Sequence, residues 1–380
     1  MLLRIVPFEI RKLLEQPVIY LFFIASLLLN VIYITTAGFD QSYLNYIHET
    51  QVQTGTRVTD EFRNILSEAT SSKKQQRLLR ETAEVKNIFQ DYSTEYLGQE
   101  MIDFYQINGT VAEKIKRKYE RLTPVIEQLS ETQAALEVGA AGETMSFFTF
   151  VTNRLFRTIL GESLIFSLLL GLYGSTFEKL TKTDTLVMSS KTGRRTQVSK
   201  YLASLFLSMF FYVLMIVLTF SVFKQIYDFG TLWQTSISTQ FHQNIYAPQM
   251  LQIPFIPWQP MTLLRYTILS MGLGSVFVFL CHGFNFFIGL WVDNLFRGFT
   301  VFVVIYAIVI GLEQIRWSEL QALLMWHPIS IWRVQAHWFT EMGPYSTIPW
   351  QESIASGVNI VLLVIFGLFT SKFYATKEVK

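Results

Sequence analysis

Two ionisable side chains, Glu162 and His282, lie within long apolar segments of the 380-residue sequence. In a lipid bilayer such groups are energetically unfavourable, and they commonly mark the path of a polar substrate or an ion. Arg154 and Arg157 precede Glu162 by eight and five residues, so either arginine is a candidate ion-pair partner for the carboxylate. The sequence therefore predicts a candidate substrate path at Glu162 and His282.

Each of these two residues also has an ordinary structural explanation. Glu162 lies only about one helical turn inside its apolar segment, so it can stay hydrated at the membrane surface. His282 can hydrogen-bond a neighbouring helix, and we favour this explanation for the histidine. Gly272 and Gly274 occur in the same apolar segment as His282, and they predict close packing of that helix against another.

The sequence contains no arrangement typical of a catalytic or metal site. Serine, histidine and aspartate occur without any pattern that indicates a catalytic triad, and the five histidines are scattered without an H-E-x-x-H motif. The single cysteine, Cys281, excludes a disulfide framework and a cysteine-based zinc site. No G-x-x-x-x-G-K-[ST] phosphate-binding loop is present. We therefore expect no catalytic residues, no metal and no cofactor in this chain.

A polar run at residues 177–200 separates two apolar segments and is strongly basic. It holds six lysines and arginines against two acidic residues, Glu178 and Asp184. Short basic loops between membrane spans stay in the cytoplasm, because lysine and arginine resist translocation. We predict that a partner protein docks on this loop. The alternative is a basic loop that faces lipid head groups and reflects only this charge rule.

The composition indicates a membrane protein. The chain is 51% hydrophobic with 33 phenylalanines, and only 16% of its residues are charged, against about 25% in soluble domains. Its apolar residues cluster in runs of about 20, the length that crosses the roughly 30 Å hydrocarbon core of a bilayer as a helix. A β-barrel would instead show alternating apolar and polar residues. We predict an all-α polytopic membrane protein with six transmembrane helices.

The predicted segments follow one another from the N terminus. They are an amphipathic interfacial helix (1–17), the first span (18–37), an extracellular helical domain (38–150), the second span (156–175), a cytoplasmic coupling loop (176–200), the third span (201–223), an extracellular loop (224–263), the fourth span (264–287), the fifth span (297–314), an extracellular re-entrant segment (315–354), the sixth span (355–373) and a cytoplasmic tail (374–380). The alternative for the first segment is that it is only the charged start of the first span.

The distribution of basic residues predicts the orientation of the spans. Segments on the side of both termini hold thirteen lysines and arginines, whereas the two short opposite segments hold two. Because positive charge is retained in the cytoplasm, we expect both termini there. The polar insert at 38–150 then lies outside, and its apolar residues recur at helical spacing, so we expect a small helical domain or hairpin.

Three features resemble the membrane subunit of an ATP-binding-cassette exporter of the ABC-2 permease type. The run FEIRKLLEQP at 8–17 is similar to the family's amphipathic connecting helix. The loop from Glu178 to Lys200 is similar to its signature between the second and third spans, with an acidic residue first, a "TL…S…GR" run, and a lysine before the third span. His327-Pro328 lies in a segment that resembles the family's pair of re-entrant half-helices. The insert at 38–150 is larger than in minimal members of this family.

The resemblance implies a function and a set of contact residues. It implies export of an amphiphilic substrate, such as a peptide, an antibiotic or a lipid, driven by a separate ATP-binding-cassette subunit that carries ATP and magnesium. It also implies a dimer with a second permease copy or a paralogue, contact with membrane lipid, and a multi-pass location in a bacterial plasma membrane. Nucleic acid is not an expected partner. The residues that match the coupling signature are Glu178, Thr185, Leu186, Ser189, Arg194, Arg195 and Lys200.

A second class of function is compatible with the same features. In a mechanotransmission or sensory membrane protein, an ATPase moves the extracellular domain and no substrate crosses the membrane. Such proteins usually have four spans, so six predicted spans favour an exporter.

Overall fold

The computed structural model describes residues 4–68, 72–141, 147–189, 193–227, 230–242, 255–292 and 294–376. All regular structure in these ranges is helical, with three isolated β-bridges and no strand. The helices are α1 (Val6–Leu14), α2 (Pro17–Thr35), α3 (Gln41–Thr54), α4 (Asp60–Glu68), α5 (Lys73–Thr82), α6 (Thr94–Phe104), α7 (Gly109–Glu120), α8 (Thr123–Glu131), α9 (Phe147–Thr149), α10 (Phe156–Leu180), α11 (Asp184–Ser189), α12 (Thr196–Ile226), α13 (Leu263–Trp291), α14 (Leu295–Leu312), α15 (Ser318–Leu324), α16 (Pro328–Arg333) and α17 (Gln351–Thr376). A π-helical stretch, Phe150–Leu155, joins α9 to α10.

Six helices in the described part are long and apolar enough to span a membrane. They are α2, the continuous unit of α9 and α10, α12, α13, α14 and α17. The prediction of an all-helical protein with six candidate spans is confirmed. The unit of α9 and α10 and helix α13 are the most enclosed, with 67% of their apolar windows buried, whereas the window of α14 is only 11% buried. The bundle is therefore built around α10 and α13, and α14 lies at its periphery.

The spanning helices extend beyond the apolar runs that predicted them. Helix α10 continues to Leu180 and α12 begins at Thr196, so the first and last five residues of the predicted coupling loop at 176–200 are helical. Similarly, α17 begins at Gln351 within the segment that we assigned to a re-entrant region. Polar residues continue these helices because their charges find partners on neighbouring helices, as described below for the ends of α10 and α12.

A second group of helices, α3 to α8, forms the insert between the first two candidate spans. Two apolar clusters hold it together, one around Phe62 and Leu78 and one around Ile115 and Leu129. Ile256 and Trp258, which lie far along the chain just before α13, complete the second cluster. The insert is therefore packed against a connecting segment of the spanning bundle.

Helices α10 and α13 approach one another closely at Gly171. A Cβ atom at this position would lie 2.7 Å from the carbonyl oxygen of His282 and 3.0 Å from the amide nitrogen of Phe286. Gly274 is also closely packed, but against side chains, since a Cβ there would clash with the hydroxyl of Tyr212 and lie 3.1 Å from Phe156, whereas Gly272 faces open space. The prediction of close packing thus applies to Gly274 and not to Gly272.

We expect Gly171→Ala to destabilise the protein by about 1–3 kcal/mol, the usual cost of an added methylene in a packed core. The clashing atoms belong to the backbone of α13, so they cannot rotate away. The measurement is unfolding of the purified protein by sodium dodecyl sulfate in mixed micelles, followed by tryptophan fluorescence. Gly161→Ala is the matched control on the same helix, because no atom lies within 4 Å of its Cβ position. Equal stability of the two variants would contradict close packing at Gly171.

Candidate functional site

Glu178, near the C-terminal end of α10, is the centre of a buried ion-pair network. Its carboxylate lies 3.0 Å from the ammonium of Lys12 on α1 and 2.5 Å from that of Lys200 on α12. Glu178 is only 8% exposed and Lys200 only 2% exposed. The structure thus brings together the first and last residues of the predicted coupling signature and adds Lys12, which sequence reasoning did not assign to it.

The network joins three helices that are distant in sequence. Lys12 also pairs with Glu9 at 2.6 Å and lies 4.1 Å above the ring of Phe177. Two lysines and two glutamates therefore balance each other's charge in a site that is largely removed from solvent. Buried ion pairs of this kind are stable only while every partner is present, because an uncompensated buried charge is very unfavourable. We call Glu9, Lys12, Glu178 and Lys200 the Glu178 network.

Lys179 extends the connection to a fourth helix. Its ammonium donates hydrogen bonds to the carbonyl oxygens of Gly289 at 3.3 Å and Leu290 at 3.5 Å, and also to that of Val292. These carbonyls belong to the C-terminal end of α13, where a positive charge is favourable because the helix dipole is negative there. The ends of α1, α10, α12 and α13 are consequently held together at one end of the bundle.

The short helix α11 protrudes from this junction. Thr185, Leu186 and Ser189 are exposed on it, and the Leu186 side chain is 74% exposed. Arg195 is also exposed, just before α12 begins. The side chain of Arg194 lies outside the described part of the structure. The residues of the coupling signature therefore divide into a buried pair, Glu178 and Lys200, and an exposed group that a partner could contact.

Glu162 lies in the interior of the bundle, where its partner is an asparagine. Its Oε2 accepts a hydrogen bond of 3.0 Å from Nδ2 of Asn30 on α2, and the same Nδ2 lies 3.4 Å from Oγ1 of Thr219 on α12. The carboxylate is 8% exposed, and within the described ranges neither Arg154 nor Arg157 pairs with it. The prediction of an arginine partner is wrong, because the neighbouring helices place an amide there instead.

His282 is fully buried and connects α13 to α12. Its Nε2 lies 2.9 Å from Oγ of Ser204, and its ring lies beside Tyr201 at 5.3 Å. This hydrogen bond between helices is the explanation that we favoured for His282. Among the described residues, no group of three or more histidine, cysteine, aspartate or glutamate side chains could hold a metal ion.

An apolar cavity of about 500 Å³ lies among α10, α13, α14, α16 and α17, and sequence reasoning did not predict it. It is half-enclosed, and neither Glu162 nor His282 lines it. The structure thus places the two candidate path residues outside this cavity. No local pattern in the sequence indicates this cavity, since five helices from distant parts of the chain form its wall.

A second buried polar cluster joins the insert to the start of α17. We call its members, Lys118, Glu341 and Glu352, the Lys118 cluster. The ammonium of Lys118 on α7 donates hydrogen bonds to the carbonyl oxygens of Glu341 at 2.8 Å and Gly343 at 3.3 Å. The Glu341 carboxylate accepts a bond of 3.1 Å from the amide of Ile256, and the Glu352 carboxylate accepts one of 3.1 Å from the amide of Phe339. Sequence reasoning missed this cluster. The signal was that Lys118 lies three residues after Ile115, on the apolar face of its helix.

Burial shifts the pKa values of Lys118 and Glu341, both of which lie outside the candidate spans. Desolvation lowers the pKa of Lys118 to about 8, and desolvation raises the pKa of Glu341 to about 8. Each shift is opposed by the attraction between the two groups, but burial dominates.

Comparison of the chain with protein-family models, with curated proteins and with solved structures finds no match. The geometry of the Glu178 network, the cavity and the Lys118 cluster is therefore the basis for a functional proposal.

Proposed function

We propose that this chain is the permease subunit of an ATP-binding-cassette exporter of the ABC-2 type. It moves an amphiphilic substrate outward across a bacterial plasma membrane with energy from ATP, which a separate magnesium-dependent subunit hydrolyses. The observation that carries this proposal is the Glu178 network, which joins the ends of α1, α10 and α12 beside the exposed helix α11 that follows α10 in the chain.

The network explains how a movement of α11 is passed on to the spanning helices. A partner that displaces α11 moves the end of α10, from which three residues separate it, and through Glu178 it also moves α1 and α12. Lys179 adds α13 to the same unit. Because breaking a buried charge pair is very unfavourable, these helix ends move as one body rather than separately. A force at the surface thereby reaches most of the bundle.

The exposed residues on and near α11 are suited to a protein partner. Leu186 offers an apolar contact and Arg195 a positive charge, with Thr185 and Ser189 beside them. The excess of basic residues on this side of the chain favours its location in the cytoplasm, where ATP is available. The second permease of the proposed dimer, a copy or a paralogue, would supply the other half of the path.

One observation favours the alternative of mechanotransmission. The Lys118 cluster connects the insert directly to the segment before α17, so a movement of the spanning helices also moves the insert. In an exporter, movement through this connection opens and closes the outer end of the substrate path. In a mechanotransmission protein, the movement of the insert is itself the function. ATP-dependent movement of a substrate across vesicles that contain both subunits would separate the two functions.

We expect an ATPase subunit to co-purify with the tagged chain from its native membrane, and Arg194→Ala/Arg195→Ala to reduce its recovery by more than about tenfold. Loss of two charge-assisted hydrogen bonds, at about 1.5–3 kcal/mol each, is sufficient for this reduction. The measurement is affinity purification in mild detergent with quantitative mass spectrometry. Arg117→Ala/Arg121→Ala is the matched control, since it removes the same charge from exposed positions on the insert.

The two outcomes that would contradict the proposal are distinct. Absence of any ATPase subunit in several detergents would overturn the assignment as a permease. Undiminished recovery with Arg194→Ala/Arg195→Ala would overturn only the role of this loop in coupling.

A further inference from the structure

The carboxyl group of Glu162 is buried in the bundle without a counter-charge. The residue is 8% exposed, and within the described ranges it takes part in no ion pair. Its hydrogen-bond partner is a neutral amide, Nδ2 of Asn30 at 3.0 Å. An unpaired carboxylate in such a place is very unfavourable, and a carboxyl group that lacks a counter-charge usually takes up a proton and becomes neutral.

Two oxygen atoms at this site have no hydrogen-bond donor. They are Oε1 of Glu162 and Oδ1 of Asn30, both of which are buried and without a partner among the described residues. Asn30 is fully buried, and its Nδ2 is already used by Oε2 of Glu162 and by Oγ1 of Thr219 at 3.4 Å. The site therefore has two spare acceptors and lacks a hydrogen to donate to them.

A single proton supplies what both atoms lack. In a pair of a carboxylic acid and an amide, the amide N–H donates to one carboxyl oxygen, and the acid O–H donates to the amide oxygen. The first of these bonds is present, and the two spare acceptors are the atoms that the second bond would join. Turning the Asn30 amide over would set its oxygen against Oε2 of Glu162, and this arrangement would require the proton as well.

A metal ion is a poorer match for this site than a proton. Hard cations such as Mg²⁺ and Ca²⁺ take roughly six or more oxygen ligands. The side chains of Glu162, Asn30 and Thr219 contain four oxygen atoms, and two of these already accept hydrogen bonds from the Asn30 amide. A proton needs only the two spare acceptors.

The neighbouring helices provide no other charge to this carboxyl group. Outside the Glu178 network, the charged residues of α2, α10, α12 and α13 and of the π-helical stretch are either exposed, as are Arg154, Arg157, Lys224 and Arg265, or bonded to α13, as is Lys179. The other titratable side chains on these helices are Tyr20, Tyr33, Tyr173, Tyr201, Tyr212, Tyr266, Cys281 and His282. Among the described contacts, none of these groups bonds to Glu162.

The pair of Glu162 and Asn30 attaches α2 to the rest of the bundle. The apolar window of α2 is only 17% buried, and its buried residues are Ser26, Asn30 and Ile34, on one face of the helix. Asn30 contacts α10 through Glu162 and α12 through Thr219. Loss of a proton from Glu162 would leave an uncompensated negative charge between these three helices, which opposes their packing.

We propose that Glu162 is a proton-binding site that is occupied at neutral pH, with the proton on Oε1 donated to Oδ1 of Asn30, and that this proton holds α2 against α10 and α12. The proton comes from water and returns to water when α2 separates from the bundle. This inference goes beyond the proposed export function, and it does not require the ATPase subunit.

The first test measures whether Glu162 carries a proton. It uses the purified full-length chain in nanodiscs of ether-linked lipids, which contain no ester carbonyl group. Infrared spectroscopy at neutral pH records the C=O stretching band of protonated carboxyl groups, and we expect Glu162→Gln to lose the part of this band that Glu162 contributes. Glu15→Gln is the matched control, because it removes a carboxyl group whose side chain is 63% exposed, and it should leave the band unchanged.

The stability of Glu162→Gln gives a second readout. A glutamine can form both bonds with Asn30 without a proton, since its amide group donates as well as accepts. We therefore expect this variant to fold and to resist unfolding by sodium dodecyl sulfate at least as well as the wild type. A site that required a negative charge would instead be weakened by the substitution.

Asn30→Leu tests the pairing with the amide. We expect the band of Glu162 to remain and to move to a higher frequency, because a carboxyl group without hydrogen bonds has a stronger C=O bond. Ser26→Ala is the matched control, since Ser26 lies one turn earlier on the same face of α2 and is 5% exposed. This control should leave the frequency unchanged. If Asn30→Leu does not fold, the two results for Glu162→Gln decide the question.

Four results would overturn the inference. They are an unchanged carboxyl band in Glu162→Gln, failure of that variant to fold, an unchanged frequency in Asn30→Leu, and loss of the band in the wild type when sodium chloride replaces choline chloride at the same ionic strength. The last result would assign the site to a sodium ion. Because no ATPase subunit is present, each result is independent of the co-purification that tests the proposed function.

Discussion

We expect Glu178→Ala to destabilise the protein by about 3–5 kcal/mol, which is the usual effect of removing one partner from a buried ion pair. The variant leaves Lys200, which is 2% exposed, without a counter-charge, and it also removes the interhelical partner of Lys12. Both ammonium groups would then repel each other at the junction of α1 and α12. The measurement is unfolding by sodium dodecyl sulfate in mixed micelles, followed by tryptophan fluorescence.

Two further variants give this prediction its controls. Glu178→Gln combined with Lys200→Met should recover most of the lost stability, because a buried pair replaced by neutral groups of similar volume is often neutral or stabilising. Glu15→Ala removes an acidic residue whose side chain is 63% exposed and that pairs with Arg11, so we expect an effect within about 1 kcal/mol. If Glu178→Ala and Glu15→Ala unfold alike, the Glu178 network contributes no rigidity and the proposed coupling loses its basis.

The second large effect concerns the pH dependence of stability in the Lys118 cluster. The pKa of Glu341 is raised by burial to about 8 from its ordinary value of 4.5. Below pH 4.5 the carboxyl is protonated in both folded and unfolded chains, so its contribution to stability is fully present. Between pH 4.5 and 8 only the unfolded chain releases the proton, and stability falls by at most about 1.4 kcal/mol per pH unit.

Lys118 makes the stability of the protein depend on pH in the opposite direction. Its pKa is lowered by burial to about 8, so its contribution is present above pH 10.5 and is lost as the pH falls to 8. The stability contributed by the pair is therefore lowest near pH 8. Glu352, Tyr92 and Tyr119 also face this cluster, so Glu341 shares the acidic part of the pH dependence with a second carboxyl group.

The variant that isolates the acidic limb is Glu341→Gln. Its amide oxygen can still accept the bond from Ile256, but it has no proton to release. We expect the fall in stability between pH 5.5 and 7.5 to become shallower in this variant, because Glu352 still contributes to it, as measured by thermal unfolding of the purified protein at a series of pH values. Glu319→Gln, at an exposed position of α15, should keep the wild-type slope. A slope that is unchanged from the wild type in Glu341→Gln would show that Glu341 does not contribute to it.

The number and type of the spanning helices could be predicted from the sequence because local composition decides them. A helix of about 20 apolar residues is long enough to cross the hydrocarbon core. Its backbone groups form all their hydrogen bonds within the helix itself. Every candidate span meets this condition without help from another part of the chain. The isolated positions of Glu162 and His282 were likewise visible in sequence, since a single ionisable residue stands out from apolar neighbours.

The partners of these residues depended on the tertiary structure. Asn30 lies 132 residues before Glu162, and Lys12 lies 166 residues before Glu178, so no local spacing relates them. The same pairing explains why the ends of α10 and α12 are helical where composition predicted a loop. Charged residues continue a helix when a neighbouring helix supplies the opposite charge, and the sequence does not state which helices are neighbours.

Sequence alone determined that this chain is an all-helical protein with six candidate spans and few interior charges, because hydrophobic length and backbone hydrogen bonding act within each segment. The tertiary structure decided that Glu178 binds α1 to α12, that Lys118 anchors the insert, and that five helices line an apolar cavity. These three features arise from the relative positions of whole helices, which are set by close contacts such as that of Gly171 with the backbone of α13. Such contacts join residues that only the folded chain brings together.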